Sequence, residues 1–155
     1  MVELRLPGVA RRALALFGAA LAVAALNVGE ARADGPPQLK SRIADACIDA
    51  PNAGWLTPVV VNPCNGGDTQ RWNLTPDRRL ESAAFPGQCL NASDDGWTVR
   101  LLACWDSRRW TIDPNGHVKA DLGGCLALPS GTGPGAVVST RFCSGAPDQG
   151  WDSVP

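Results

Sequence analysis

From residue 34 onward the apolar residues do not recur at the three- and four-residue spacing that gives a helix one dry face. They come as short runs, such as Val59–Val61 and Val99–Leu102, broken by Gly, Pro, Asn and Asp. Runs of that kind between turn-forming residues predict short strands and an all-β chain. The 17 glycines and 13 prolines supply the many turns such a chain needs.

The pattern also repeats. Trp72 is followed by NLTPDRRLES and Trp110 by TIDPNGHVKA, which place Leu74 on Ile112, Pro76 on Pro114, Asp77 on Asn115 and Leu80 on Val118. An apolar residue, a Pro-Asp or Pro-Asn-Gly turn and a second apolar residue predict a strand, a tight turn and a strand. A cysteine with an apolar follower recurs at Cys47-Ile48, Cys89-Leu90 and Cys125-Leu126, and Val59, Val99 and Val138 each stand five residues ahead of a second cysteine. Tryptophans at 72, 110 and 151 close the units, giving periods of 38 and 41 residues. Residues 43–151 are therefore three copies of a unit of about 40 residues, with approximate bounds 41–76, 77–114 and 115–155. Three such units are too few for a propeller, which closes with about four to eight blades. They fit a β-trefoil, a threefold barrel of hairpins with roughly four strands per unit.

The start of the chain is different. Arg5, Arg11 and Arg12 precede Ala13–Leu26, an apolar run of 14 residues, and Ala31-Arg32-Ala33 follows. This reads as a secretory signal over residues 1–33, with a mature domain at 34–155. The run is shorter than the roughly 20 residues of a membrane span. The mature part carries ten Lys and Arg against 13 Asp and Glu, with no clustered basic face to suggest nucleic acid. Its size predicts one monomeric domain. All six cysteines lie in it, and export places them in an oxidising compartment, so they read as disulfides. Of 15 possible pairings, only Cys47–Cys64, Cys89–Cys104 and Cys125–Cys143 treat the copies alike and close short loops. No cysteine or histidine pair has the two- to four-residue spacing of a zinc site, and no cofactor is expected.

Cysteine, a glycine-containing turn, an apolar–x–apolar strand, a second cysteine and then Gln-x-Trp, three times behind a signal peptide, resembles the ricin-type β-trefoil lectin domain. The likeness covers essentially all of the mature chain. The middle copy departs from it, with Arg108-Arg109-Trp110 where glutamine is expected. The resemblance implies a secreted, non-catalytic carbohydrate-binding protein, with Trp72, Trp110 and Trp151 structural. It implies sugar contacts from an Asp two residues after the first cysteine, a ring about two before the second, a polar residue and the glutamine. In the first copy these positions hold Asp49, Asn62, Thr69 and Gln70; in the second Asn91, Leu102, Ser107 and Arg108; in the third Ala127, Arg141, Asp148 and Gln149. Only the first copy keeps the carboxylate, and it lacks the ring. Trp55, eight residues after Cys47, is the candidate stacking platform; Trp97 holds the matching place in the second copy, Gly133 in the third, and Trp105 is a further ring. A galactose-like sugar and a polysaccharide such as xylan are both compatible ligands. With so few rings in place, a protein partner is the alternative.

Catalysis is not expected. The one histidine, His117, stands at a predicted hairpin tip and reads as solvated, and Glu81 is the one glutamate of the mature part. Asp94-Asp95 reads as turn chemistry or a loose cation site, and paired cysteines leave no thiol nucleophile.

Overall fold

The computed structural model describes residues 35–95 and 97–155. The predicted signal segment lies outside the described residues. Among the described residues there are thirteen strands: β1 (Gln38–Ser41), β2 (Cys47–Asp49), β3 (Val60–Asn62), β4 (Trp72–Leu74), β5 (Leu80–Ser82), β6 (Gln88–Ala92), β7 (Val99–Ala103), β8 (Trp110–Ile112), β9 (Val118–Ala120), β10 (Cys125–Ala127), β11 (Ala136–Val137), β12 (Ser139–Arg141) and β13 (Trp151–Val154).

Each tryptophan opens a strand that pairs with the first strand of the next unit: β4 with β5, β8 with β9, and β13 back onto β1. The other side of each tryptophan strand is tied within its own unit. The backbone N–H groups of Trp72, Trp110 and Trp151 donate to the carbonyls of Pro37, Arg78 and Gly116 at 2.9, 2.7 and 2.9 Å. These bonds link the three sheets through six strands, β1, β4, β5, β8, β9 and β13, into the barrel of the trefoil. The remaining hairpins, β2–β3, β6–β7 and β10–β12, cap it, and β11 adds to β3.

The alternation in the sequence now has its cause. Leu39, Leu80 and Val118 point inward from the first strand of each unit, and Ile48, Leu90 and Leu126 do so from the second. Val59, Val99 and Val138 are all buried beside them. The three tryptophans fill the common core, and each indole N–H donates to a carbonyl of the cap: Ile48 at 3.1 Å, Leu90 at 2.9 Å and Leu126 at 3.0 Å. A buried indole thus has its one polar group satisfied three times over by the same geometry.

The disulfides are Cys47–Cys64, Cys89–Cys104 and Cys125–Cys143, one within each repeat. They close loops of 17, 15 and 18 residues, each worth about 3 kcal/mol through the unfolded chain. The hairpin turns differ in their chemistry. Gly116 (φ 84°) takes the left-handed position after Pro114-Asn115, whereas Arg78 (φ 66°) takes it after Pro76-Asp77. Beside that turn His117 is half-buried rather than solvated. Its N–H donates to Asp113 Oδ1 at 3.0 Å and its ring Nδ1 lies 3.2 Å from Oδ2, so the turn carboxylate draws the ring in.

Candidate functional site

In the first repeat β2 and β3 run side by side, with Cys47 opposite Asn62 and Asp49 opposite Val60. The chain then turns through Cys64 and returns in a short 3₁₀ turn, Asp68–Gln70, so Gln70 approaches the ends of both strands. Asp49 Oδ2 accepts from Asn62 Nδ2 at 3.0 Å and from Gln70 Nε2 at 3.2 Å. Thr69 contributes its carbonyl, which accepts from Ala50 N–H at 2.9 Å. Four of the five sequence candidates therefore meet. Asp49 itself is 5% exposed, and its Oδ1 is shielded from solvent with no hydrogen-bond partner.

Gln70 also has a structural task. Its Oε1 accepts from Asn65 N–H at 2.9 Å and its Nε2 donates to the Pro63 carbonyl at 3.0 Å, clipping the loop that follows Cys64. Gln149 repeats this with Ser144 N–H at 3.0 Å and the Phe142 carbonyl at 2.9 Å, although Ala127 stands where Asp49 does. The glutamine clip thus forms without the carboxylate.

The second repeat explains its own departure. Trp110 follows Cys104 at the sixth position, against the eighth in the other copies, and a 3₁₀ turn at Cys104–Asp106 takes up the span. The shorter loop has no long arc to clip, and Arg108 is free for other contacts. Its backbone N–H donates to Asn91 Oδ1 at 3.0 Å, and its guanidinium pairs with Asp94. Asp94 is thereby engaged with an arginine, while Asp95 accepts from Trp97 N–H and Thr98 N–H. Those backbone donors hold the Asp95 carboxyl below its ordinary value. Among the described residues no group of His, Cys, Asp and Glu is arranged to hold a metal.

Around Asn91, Asp94, Ser107, Arg108 and Asp121 lies an open hollow of about 450 Å³. The family pattern places Asn91, Leu102, Ser107 and Arg108 here, and all four line the hollow, but its carboxylates, Asp94, Asp106 and Asp121, come from loop residues rather than from the strand end. Of those carboxylates, only Asp94 stands out in the sequence, within the Asp94-Asp95 pair.

Trp55 does not join the Asp49 cluster. Its loop crosses to the second repeat, where Gly54 N–H donates to Gln88 Oε1 at 2.7 Å and Arg100 donates to the carbonyls of Trp55 and Leu56 at 3.0 and 2.9 Å. The hollow beside its ring is lined by Pro86, Gly87, Gln88 and Leu101–Ala103. The matching loop of the third repeat lies on the first, with Gly135 N–H donating to Asn62 Oδ1 at 3.1 Å. It brings no ring. Trp55, Trp97 and Trp105 are all exposed, at 63, 58 and 81%.

Comparison with known proteins agrees with this architecture. Uncharacterized proteins of Mycobacterium tuberculosis and Mycobacterium bovis are each 56% identical over 158 residues, spanning the whole of both chains. A stretch covering 44% of this chain is 37% identical to 13% of alpha-galactosidase A from Aspergillus niger. Among solved structures, the β-trefoil lectin of the Vibrio vulnificus hemolysin/cytolysin, with N-acetyl-D-lactosamine bound, superposes with a TM-score of 0.67 at 18% identity, over 76% of this chain and 92% of that one. A non-toxic homologue of type II RIPs from Momordica charantia, in complex with alpha-methyl-D-galactoside, gives 0.65 at 20% identity over 76% and 46%. The family description "Ricin-type beta-trefoil lectin domain" matches residues 36–151, and the chain belongs to that family.

Proposed function

We propose that this protein is a secreted, non-catalytic carbohydrate-binding module whose best-preserved sugar site is in the first repeat. The observation that carries the reading is Asp49 Oδ1. A carboxyl oxygen that is buried and unpartnered costs free energy, on the order of 1–3 kcal/mol for the desolvated group. The fold does not demand it, since the equivalent strand end is Asn91 in one repeat and Ala127 in another. A sugar hydroxyl is the donor such an oxygen lacks. Asn62 and Gln70 orient the carboxylate through its other oxygen, and Thr69 and Asn62, both half-buried, can contact a neighbouring hydroxyl. Because Oδ1 is shielded, ligand entry requires the groups that cover it to yield. One shallow site of this kind gives about millimolar affinity, near −4 kcal/mol. Galactose-like sugars and xylan-type polymers both present adjacent hydroxyls, and retention then depends on clustered ligand.

The second reading is a protein partner. It is favoured by the exposed rings of Trp55, Trp97 and Trp105 alongside a buried Asp49. The experiment that separates the two is retention of the secreted, disulfide-bonded protein on an array of glycans and polysaccharides, with Asp49→Ala alongside. Sugar retention that disappears in Asp49→Ala supports the lectin reading. A folded wild type silent on every glycan supports the protein partner.

A further inference from the structure

Each ring-bearing loop lies on the following repeat, which sets Trp55 against Leu102 and Trp97 against Arg141. These two neighbours hold equivalent places, two residues before the second cysteine. The fold therefore accepts an apolar residue at position 141, and the cation is specific to the junction of the second and third repeats. There the guanidinium carbon of Arg141 stacks 3.7 Å from the centre of the Trp97 ring. One of its amino groups donates to the Thr140 carbonyl at 3.3 Å, and among the described residues it pairs with no carboxylate. A hollow of about 450 Å³ opens beside it, walled by Trp97, Gly123, Gly124 and Phe142. Phe142 is 90% exposed. Asp95 builds the turn that presents Trp97, through its bonds to the Trp97 and Thr98 N–H groups at 2.8 and 3.1 Å.

We propose that this junction is a second saccharide site, outside the first-repeat site, and that it takes an acidic sugar such as a hexuronate within a polymer. A guanidinium stacked on an indole keeps its in-plane N–H edge for a carboxylate. A carboxylate bound there lies in the layer above the indole, and the apolar face of the sugar that bears it packs on the exposed Phe142 ring. The surroundings fix the number of charges. Asp95 lines the hollow and Asp94, on the same loop, is already paired with Arg108. One cation without a carboxylate partner among the described residues, beside an acid, suits a single carboxylate amid hydroxyls, not a dense anionic surface. The Trp55 hollow, with Leu102 in place of the arginine, has no such preference and serves as the internal comparison.

The inference rests on the carbohydrate-binding reading but not on Asp49, and the test keeps the two apart. The disulfide-bonded protein is measured on immobilised polygalacturonate and hyaluronate, on neutral glycans and xylan, and on vesicles containing phosphatidylserine. Variants are Arg141→Leu, Trp97→Ala, the milder Trp97→Phe, and Asp49→Ala. The expected result is retention on at least one acidic polymer that weakens with added salt, falls about tenfold or more in Arg141→Leu, falls in Trp97→Ala, is partly kept in Trp97→Phe, and is unchanged in Asp49→Ala. Acidic-polymer retention with no neutral-glycan binding leaves this site standing and removes the first-repeat reading. Neutral-glycan binding lost in Asp49→Ala, with no retention on acidic polymers, removes this site and leaves the first-repeat reading. Arg141-dependent capture by vesicles but not by either acidic polymer overturns the saccharide assignment.

Discussion

Replacing Asp49 by alanine separates a structural carboxylate from a ligand-binding one. The side chain accepts two hydrogen bonds, from Asn62 at 3.0 Å and Gln70 at 3.2 Å, and each bond to a charged acceptor contributes about 1.5–3 kcal/mol. Neither donor is stranded by the substitution. Gln70 Nε2 keeps the Pro63 carbonyl at 3.0 Å, and Asn62 is half-buried and reaches water. Against the loss stands the removal of a buried, unpartnered oxygen, worth about 1–3 kcal/mol. The third repeat shows the end state, with Ala127 buried and Gln149 still clipping its loop. The two bonds together are worth about 3–6 kcal/mol and the relief about 1–3 kcal/mol, so the sides offset only in part and Asp49→Ala is expected to destabilise by about 2–3 kcal/mol. Urea unfolding of the oxidised protein, followed by tryptophan fluorescence, measures this. Glycan retention of the same preparation is expected to be abolished. A loss of about 5 kcal/mol or more would refute the reasoning, because the buried oxygen would then bring no relief and Asp49 would be holding the cap together.

Three further outcomes follow from the turns and carboxylates. Gly116→Ala is expected to destabilise by about 3 kcal/mol or more in urea unfolding, since its φ is 84° and an added Cβ meets the Trp151 carbonyl oxygen at 2.5 Å. Arg78→Gly, at the equivalent turn, should stabilise by about 0.5 kcal/mol, the relief of a left-handed arginine less the added freedom of the unfolded chain. Asp77, Asp95 and Asp113 are each held below the ordinary aspartate value of 3.8, first by the Thr75 hydroxyl, the Trp97 N–H and the His117 N–H respectively. Their contribution is complete above that value and lost as pH falls through the lowered ones, so thermal midpoints should hold from about pH 7 to about pH 5 and decline below about pH 4.

The features legible in the sequence are those that recur in every copy. The Cys–Cys spacing, the valine five residues earlier and the closing tryptophan each mark a position with the same neighbours three times, so the pairing and the buried indoles could be read from one chain. Features that depend on one repeat meeting the next were not legible. Trp55 reads as a partner for Asp49 because both follow Cys47, yet its loop lies on β6 and β7 of the second repeat. Arg108 reads as a lost glutamine; the loop it serves is two residues shorter and needs no clip. His117 reads as a solvated tip residue because sequence spacing does not show that Asp113 turns back onto its ring. The burial of Asp49 is likewise a property of the packed cap, invisible in the Cys-Ile-Asp triplet.

The most direct test of the first-repeat site is a titration of the ¹⁵N-labelled, disulfide-bonded protein with the saccharides it retains, observing side-chain amides. The Asn62 and Gln70 NH₂ groups both touch Asp49 and report on its occupancy. The account predicts that these two resonance pairs shift with saturating sugar and stop shifting in Asp49→Ala. Saturable binding with both pairs unmoved would contradict it and place the sugar site elsewhere on the trefoil.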